Sequence, residues 1–104
     1  MTTADPILTK FRAALTELYG DRIERVVLFG SRARGDARED SDYDVALFLK
    51  DLPDKWAEID RLVELQVTML ETTGADIHTM PFPAGTWAKR TPLMHEIRKD
   101  GLLL

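Results

Sequence analysis

ERVVLFGSRARGDAREDSDYDVALFLK, residues 24 to 50, is the stretch on which the fold turns. Its first seven residues, ERVVLFG, are a β-branched and aromatic run that stops at a glycine, too short for a helix and suited to a buried strand. From Ser31 to Ser41 the chain is rich in Arg, Asp, Gly and Ala, which reads as a short helical turn followed by a polar loop. A second strand follows in DYDVALFLK. Strand alternation puts Asp42, Asp44, Ala46 and Phe48 on one face and Tyr43, Val45, Leu47 and Leu49 on the other, so both faces are apolar apart from the two acids.

Outward from this block, Asp5 and Pro6 read as a helix cap and first turn, with Ile7, Phe11, Ala14, Leu15 and Leu18 at helical spacing until Gly20. On the other side, Trp56, Ile59, Val63, Leu65, Met69 and Leu70 mark a long amphipathic helix that ends near Thr73 and Gly74. ADIHTM, residues 75 to 80, is a third strand with Asp76 and His78 on a common face. PFPAGTWAKR reads as a loop, and a last helix starts at Thr91 with Pro92 in its first turn and closes at Gly101.

The 104 residues suit one domain, residues 1–104, with a core of its own. The absence of cysteine excludes disulfides and thiolate metal sites, so a bound cation must rely on carboxylates or the two histidines, which favours hard cations such as magnesium. Asp5 and Pro6 interrupt MTTADPIL too early for a signal peptide, and no run approaches membrane-spanning length, so the expected location is the cytoplasm. A formal net charge of -4 argues against a protein that grips long nucleic acid. Arg25, Arg32, Arg34 and Arg38 nevertheless gather positive charge where a polyphosphate could use it.

Gly30 and Ser31 stand where a strand hands over to a helical turn, a place where backbone N–H groups and a hydroxyl can face a phosphate. A turn-forming glycine and a helix-capping serine look the same when taken alone. Asp42 and Asp44, two apart on a strand, point the same way and repel each other unless a cation lies between them. Acid pairs at solvated strand ends are common, but these begin an apolar strand, which draws Asp44 toward the core. Asp76 supplies a third carboxylate at the start of the third strand. For the end of strand one to meet the starts of strands two and three, strand one must run antiparallel to strand two and strand three parallel to it, with the long helix as crossover. The expected fold is thus α/β, a small mixed three-stranded sheet flanked by helices.

The block GSRARGDAREDSDYD resembles the signature of the DNA polymerase β-type nucleotidyltransferase superfamily, a Gly-Ser pair followed after ten residues by Asp-x-Asp, which Gly30, Ser31, Asp42 and Asp44 match without a gap. Within it, the short length, the GSRARG opening, SDYD and the isolated Asp76 most resemble the minimal nucleotidyltransferases of prokaryotes. Rival motifs fail: Asp36 stands where a Walker loop needs lysine, and Arg90 and His95, at the R-x4-H spacing of HEPN ribonucleases, flank Pro92 in a chain that is not all-helical.

The resemblance implies metal-dependent transfer of a nucleoside monophosphate, AMP from ATP, with Asp42 and Asp44 holding two Mg2+ ions about 3.5 to 4 Å apart. Asp76 would complete the metal site at the nucleophile, as ligand or as base. Gly30 and Ser31, with Arg32 and Arg34, would bind the nucleotide's phosphates, and Arg34 aligns with the recurrent arginine of the family motif. At least one arginine among Arg32, Arg34 and Arg38 is expected in a structural pair with Asp36, Glu39 or Asp40, and His78, which shares a face with Asp76 and could touch the site, reads first as a satisfied structural histidine. Minimal nucleotidyltransferases typically pair with a HEPN ribonuclease toxin and neutralise it by attaching AMP to a tyrosine, which implies an antitoxin that forms a hetero-oligomer with its target. The alternative is a non-catalytic antitoxin or adaptor that neutralises by binding, against which the survival of all three acids speaks. Relatives run on past the final glycine with an aromatic residue and a polar tail. Here Leu102, Leu103 and Leu104 follow instead, an apolar terminus expected to pack on the domain or a partner, or to mark a trimmed chain.

Overall fold

The computed structural model describes residues 5–104; of MTTADPIL, residues 1 to 4 lie outside the described residues. Helix α1 (Pro6–Tyr19) is capped by Asp5, whose Oδ1 accepts from Ile7 N at 2.8 Å while its Oδ2 accepts from the Tyr43 hydroxyl at 2.8 Å. One side chain therefore starts the helix and ties it to the second strand. The buried stripe of α1 is Leu8, Phe11, Leu15 and Tyr19, not the stripe expected through Ala14 and Leu18. Spacings of three, four and four keep those larger groups on one line, which leaves Leu18 outside.

Strand β1 (Ile23–Phe29) leads through Gly30 into the single helical turn α2 (Ser31–Arg34), and a loop delivers the chain to β2 (Tyr43–Leu49). Helix α3 (Lys55–Thr73), capped by Asp54 through a bond from Ala57 N, crosses over to β3 (Ile77–Pro83). A 3-10 turn, Ala84–Ala88, precedes α4 (Pro92–Asp100), which begins at the Thr91 cap, and β4 (Leu102–Leu103) closes the described chain.

The sheet runs β3-β2-β1-β4, with β1 antiparallel to β2 and β3 parallel to β2, as the placement of the acids requires. Two details differ from expectation. Strand β3 continues through Pro81 and Pro83, residues expected in a loop, and pairs them with Leu47 and Leu49. It is an edge strand, and two prolines of the same parity turn their missing N–H groups away from the neighbour, so pairing survives. The apolar terminus also forms a fourth strand: Leu102 and Leu103 pair with Leu28 and Val27, and Leu104 N donates to Val26 O at 2.9 Å. Gly101 allows this close return, since a Cβ there would meet Ile97 O and Val27 Cγ1.

Both faces of the sheet are covered, but unequally. Tyr43, Val45, Leu47 and Leu49 pack with α1 and with Leu62 and Met69 of α3. On the opposite face, Val27, Ala46 and Phe48 pack with Met94 and Ile97 of α4, and Phe48 stacks on Phe82 and meets Trp87 edge to face. This second layer covers the half of the face around Phe48, away from the starts of β2 and β3 where the acids stand.

Helix α3 spends its apolar residues on two stripes. Glu58, Leu62 and Met69 face inward, whereas Trp56, Val63 and Leu70 recur at spacings of seven on a neighbouring stripe and are exposed, Trp56 at 76%. The inward Glu58 is 6% exposed and pairs with Arg22 at 3.4 Å and Arg61 at 3.7 Å. Burial, followed by the adjacent Glu58 carboxylate, pushes the Tyr19 hydroxyl well above its ordinary range.

Candidate active site

Parallel pairing of Tyr43 with Ile77 and of Asp44 with His78 sets Asp42 beside Asp76 on one face at one end of the sheet. Asp42 and His78 are exposed, while Asp44 and Asp76 are half-buried. His78 Nε2 lies 3.2 Å from Asp76 Oδ2 and 3.4 Å from Asp42 Oδ2. The other oxygen of Asp76 accepts from Gln66 Nε2 at 2.6 Å, a bond that fixes the carboxylate from the α3 side. Across the sheet, Phe29 of β1 pairs with Asp44. These groups, Asp76 excepted, border a cleft of about 390 Å³ lined by Phe29, Asp42, Asp44, Gln66, His78, Thr79 and Met80.

Asp44 is the acid drawn toward the core. Its carboxyl is pushed above the ordinary carboxylate value, mainly by burial; His78 pulls it down, Asp42 pushes it up, and Arg34 pulls it down. Gly30 makes this burial possible. It adopts φ 76 and ψ -158, a conformation almost confined to glycine, and a Cβ there would lie 2.7 Å from Asp44 Oδ2. The end of β1 therefore rests directly on the acid of β2, and Ser31 follows as the first residue of α2.

The arginines divide their duties. Arg32 stacks over the Tyr43 ring at 4.4 Å and donates to Ser41 O at 2.8 Å and Glu39 O at 3.0 Å, so it fastens the loop that leads to Asp42. It borders a second cleft, of about 300 Å³, that lies against Asp42 and Asp76 as well. Arg34 makes the expected acidic pair, with Asp36 at 3.2 Å, and reaches Asp100 of α4 at 3.9 Å. Arg38 gives its backbone N–H to Ser41 Oγ at 2.8 Å.

Two residues of the cleft stand apart from the main sequence reading. Gln66 was passed over, although a polar residue four after Leu62 and three before Met69 lies beside the inward stripe of α3. His78, read as structural, stands in the cleft between two carboxylates. Asp42, Asp76 and His78 offer ligand atoms that all lie within 4.8 Å of one another, a donor set of oxygen and nitrogen that fits a divalent cation.

A polymerase β nucleotidyltransferase domain model matches residues 14–104. The chain belongs to this nucleotidyltransferase family. Among its relatives, protein adenylyltransferase MntA of Thermococcus cleftensis is 34% identical over 62 residues, 58% of this chain and 61% of that one. The aligned stretches span roughly half the length of the curated relatives, from 43% to 61% of each of three. Among solved structures, a toxin-antitoxin with AMP-PNP superposes with TM-score 0.64 at 20% identity, covering 90% of this chain and 69% of that one. A tri-AMPylated HEPN toxin of Shewanella oneidensis in complex with its MNT antitoxin superposes with TM-score 0.55 at 18% identity, covering 91% and 69%. At these identities the likeness speaks to the fold, and it is the nucleotidyltransferase fold.

Proposed function

We propose that this nucleotidyltransferase is a protein adenylyltransferase that moves AMP from ATP to a tyrosine hydroxyl of a HEPN ribonuclease toxin, and that it acts in the cytoplasm as that toxin's antitoxin. The observation that carries the reading is the convergence of Asp42, Asp44 and Asp76 at one end of the sheet beside the Gly30–Ser31 turn, in a chain of this family. Relatives and neighbours support a protein acceptor: one relative is a protein adenylyltransferase, and one neighbour is an antitoxin bound to a tri-AMPylated HEPN toxin.

In this reading Asp42, Asp44 and Asp76 hold the divalent cations, two Mg2+ ions in the expected case. When bound, these supply charge stabilisation for the transferred phosphoryl group. Ser31 and the backbone of positions 30 and 31 hold the terminal phosphates, and Arg34, half-exposed at the end of α2, adds positive charge to that clamp. Arg32 acts through the loop it fastens, by fixing where Asp42 enters β2. Gln66 keeps Asp76 Oδ1 occupied, so Oδ2 is the oxygen turned to the reacting groups. The acceptor hydroxyl attacks the α-phosphorus of ATP, the bond to the β-phosphate breaks, pyrophosphate leaves and the hydroxyl proton passes to Asp76 or to solvent water. A partner presents the acceptor, which gives a hetero-oligomer.

The test is transfer of label from α-labelled ATP, with a divalent cation, to the HEPN protein that co-purifies with this chain. Labelled partner is the expected result. A neutralised partner that carries no label would leave a binding-only antitoxin in its place.

A further inference from the structure

We infer that His78 is itself a cation ligand and that, with Asp42 and Asp76, it tunes the site toward a first-row transition cation such as Mn2+ in preference to Mg2+. This rests on the nucleotidyltransferase reading of the same cleft. His78 of β3 follows by two Asp76, which immediately precedes the strand, so both side chains share a face, and the parallel register puts His78 next to Asp44. Its Nε2 is the atom aimed at the acids, 3.2 Å from Asp76 Oδ2 and 3.4 Å from Asp42 Oδ2. The three candidate ligand atoms lie within 4.8 Å of one another, so small side-chain adjustments bring all of them onto one ion. Gln66 engages the far oxygen of Asp76 and thereby orients the near one toward the histidine. A histidine serving the core would be buried, whereas the His78 side chain is 48% exposed on the wall of the cleft.

Donor chemistry gives the preference. Mg2+ takes oxygen ligands in strict octahedral geometry and keeps much of its water. An imidazole nitrogen adds affinity for first-row transition ions and little for Mg2+. Two carboxylates alone would favour the hard cation; the same carboxylates with His78 favour the softer one.

The experiment is pulsed electron paramagnetic resonance of Mn2+ bound to the full, tag-free chain, comparing wild type with H78Q and H95Q. His95, the second histidine, lies on α4 in a separate cleft with Arg90 and Pro92 and serves as the internal control. The expected result is nitrogen coupling to Mn2+ in wild type and H95Q and its loss in H78Q. The Mn2+ Kd should rise at least about tenfold in H78Q, while the Mg2+ Kd, read by competition, moves by less than about threefold. Bound Mn2+ without nitrogen coupling, coupling that survives H78Q, or equal weakening of both cations would overturn the inference and leave the carboxylate site standing. A wild-type chain that binds no Mn2+ would overturn the inference and the active-site reading together.

Discussion

The α-carbon of Gly30 packs against the carboxylate of Asp44, so closely that a Cβ at position 30 would stand 2.7 Å from Asp44 Oδ2. Substitution to alanine therefore meets two obstacles, a backbone at φ 76 and ψ -158 and a clash with the half-buried acid. Gly30→Ala should lower stability by about 1 to 3 kcal/mol and, by displacing Asp44, reduce AMP transfer by roughly a hundredfold or more. Thermal melts and single-turnover transfer measure the two effects separately. A variant with wild-type transfer would show that contact between these residues does not organise the site.

Asp44 lies in surroundings that disfavour its charge, chiefly through burial, which raises its carboxyl above the ordinary value. A raised carboxyl pKa means that the native state holds a proton the unfolded state has released. The cation-free protein is thus destabilised as pH climbs from the ordinary aspartate range, about 4, through the raised value. Asp44→Asn should raise Tm at neutral pH by on the order of a few degrees, with the gain vanishing near pH 4 and below, while AMP transfer is lost. Melting curves across pH in the presence of a chelator supply the check, and an Asn variant less stable than wild type at pH 7 would contradict it.

In the proposed function Gln66 acts on the chemistry through Asp76, which it bonds. Removing its 2.6 Å bond in Gln66→Leu should cost about 10- to 100-fold in cation affinity or transfer. Gln66→Glu should be worse still, because it sets a second carboxylate against Asp76. Titration calorimetry with the cation distinguishes this from a packing defect, which would lower Tm and leave affinity unchanged.

Glu58 serves stability at a distance from the site. It is 6% exposed and holds Arg22 and Arg61, so Glu58→Ala should cost about 2 kcal/mol, less than a fully buried pair because both arginines can rehydrate. Urea unfolding would read this loss, and transfer per folded molecule should stay at the wild-type level.

The parts of this fold readable in the sequence were those where two signals agreed. Alternation along residues 42 to 49 and the apolar run before Gly30 located β1 and β2. Placing Asp42, Asp44 and Asp76 together then dictated the antiparallel and parallel pairings found in the sheet. Less readable were features set by tertiary neighbours. Pro81 and Pro83 look like loop residues until β3 is known to be an edge. The stripe through Trp56, Val63 and Leu70 has the spacing of a core face, and only the packing of Leu62 and Met69 turns it outward. The short strand at Leu102 and Leu103 depends on the free edge of β1. At the site, the Gly-Ser pair and the acids carried a spacing signal. Gln66 and His78 carried a weaker one, a place beside the inward stripe of α3 and a face shared with Asp76, while their contacts come from the register of β3 and the rotation of α3.

Mass spectrometry of the proposed HEPN partner, co-expressed with wild type or with Asp42→Ala plus Asp44→Ala, reads whether these acids build a catalytic site for modifying a protein. Tyrosine adducts of AMP are expected with wild type and none with the double variant, which should still fold. Unmodified partner in both, with neutralisation intact in both, would contradict that catalytic role.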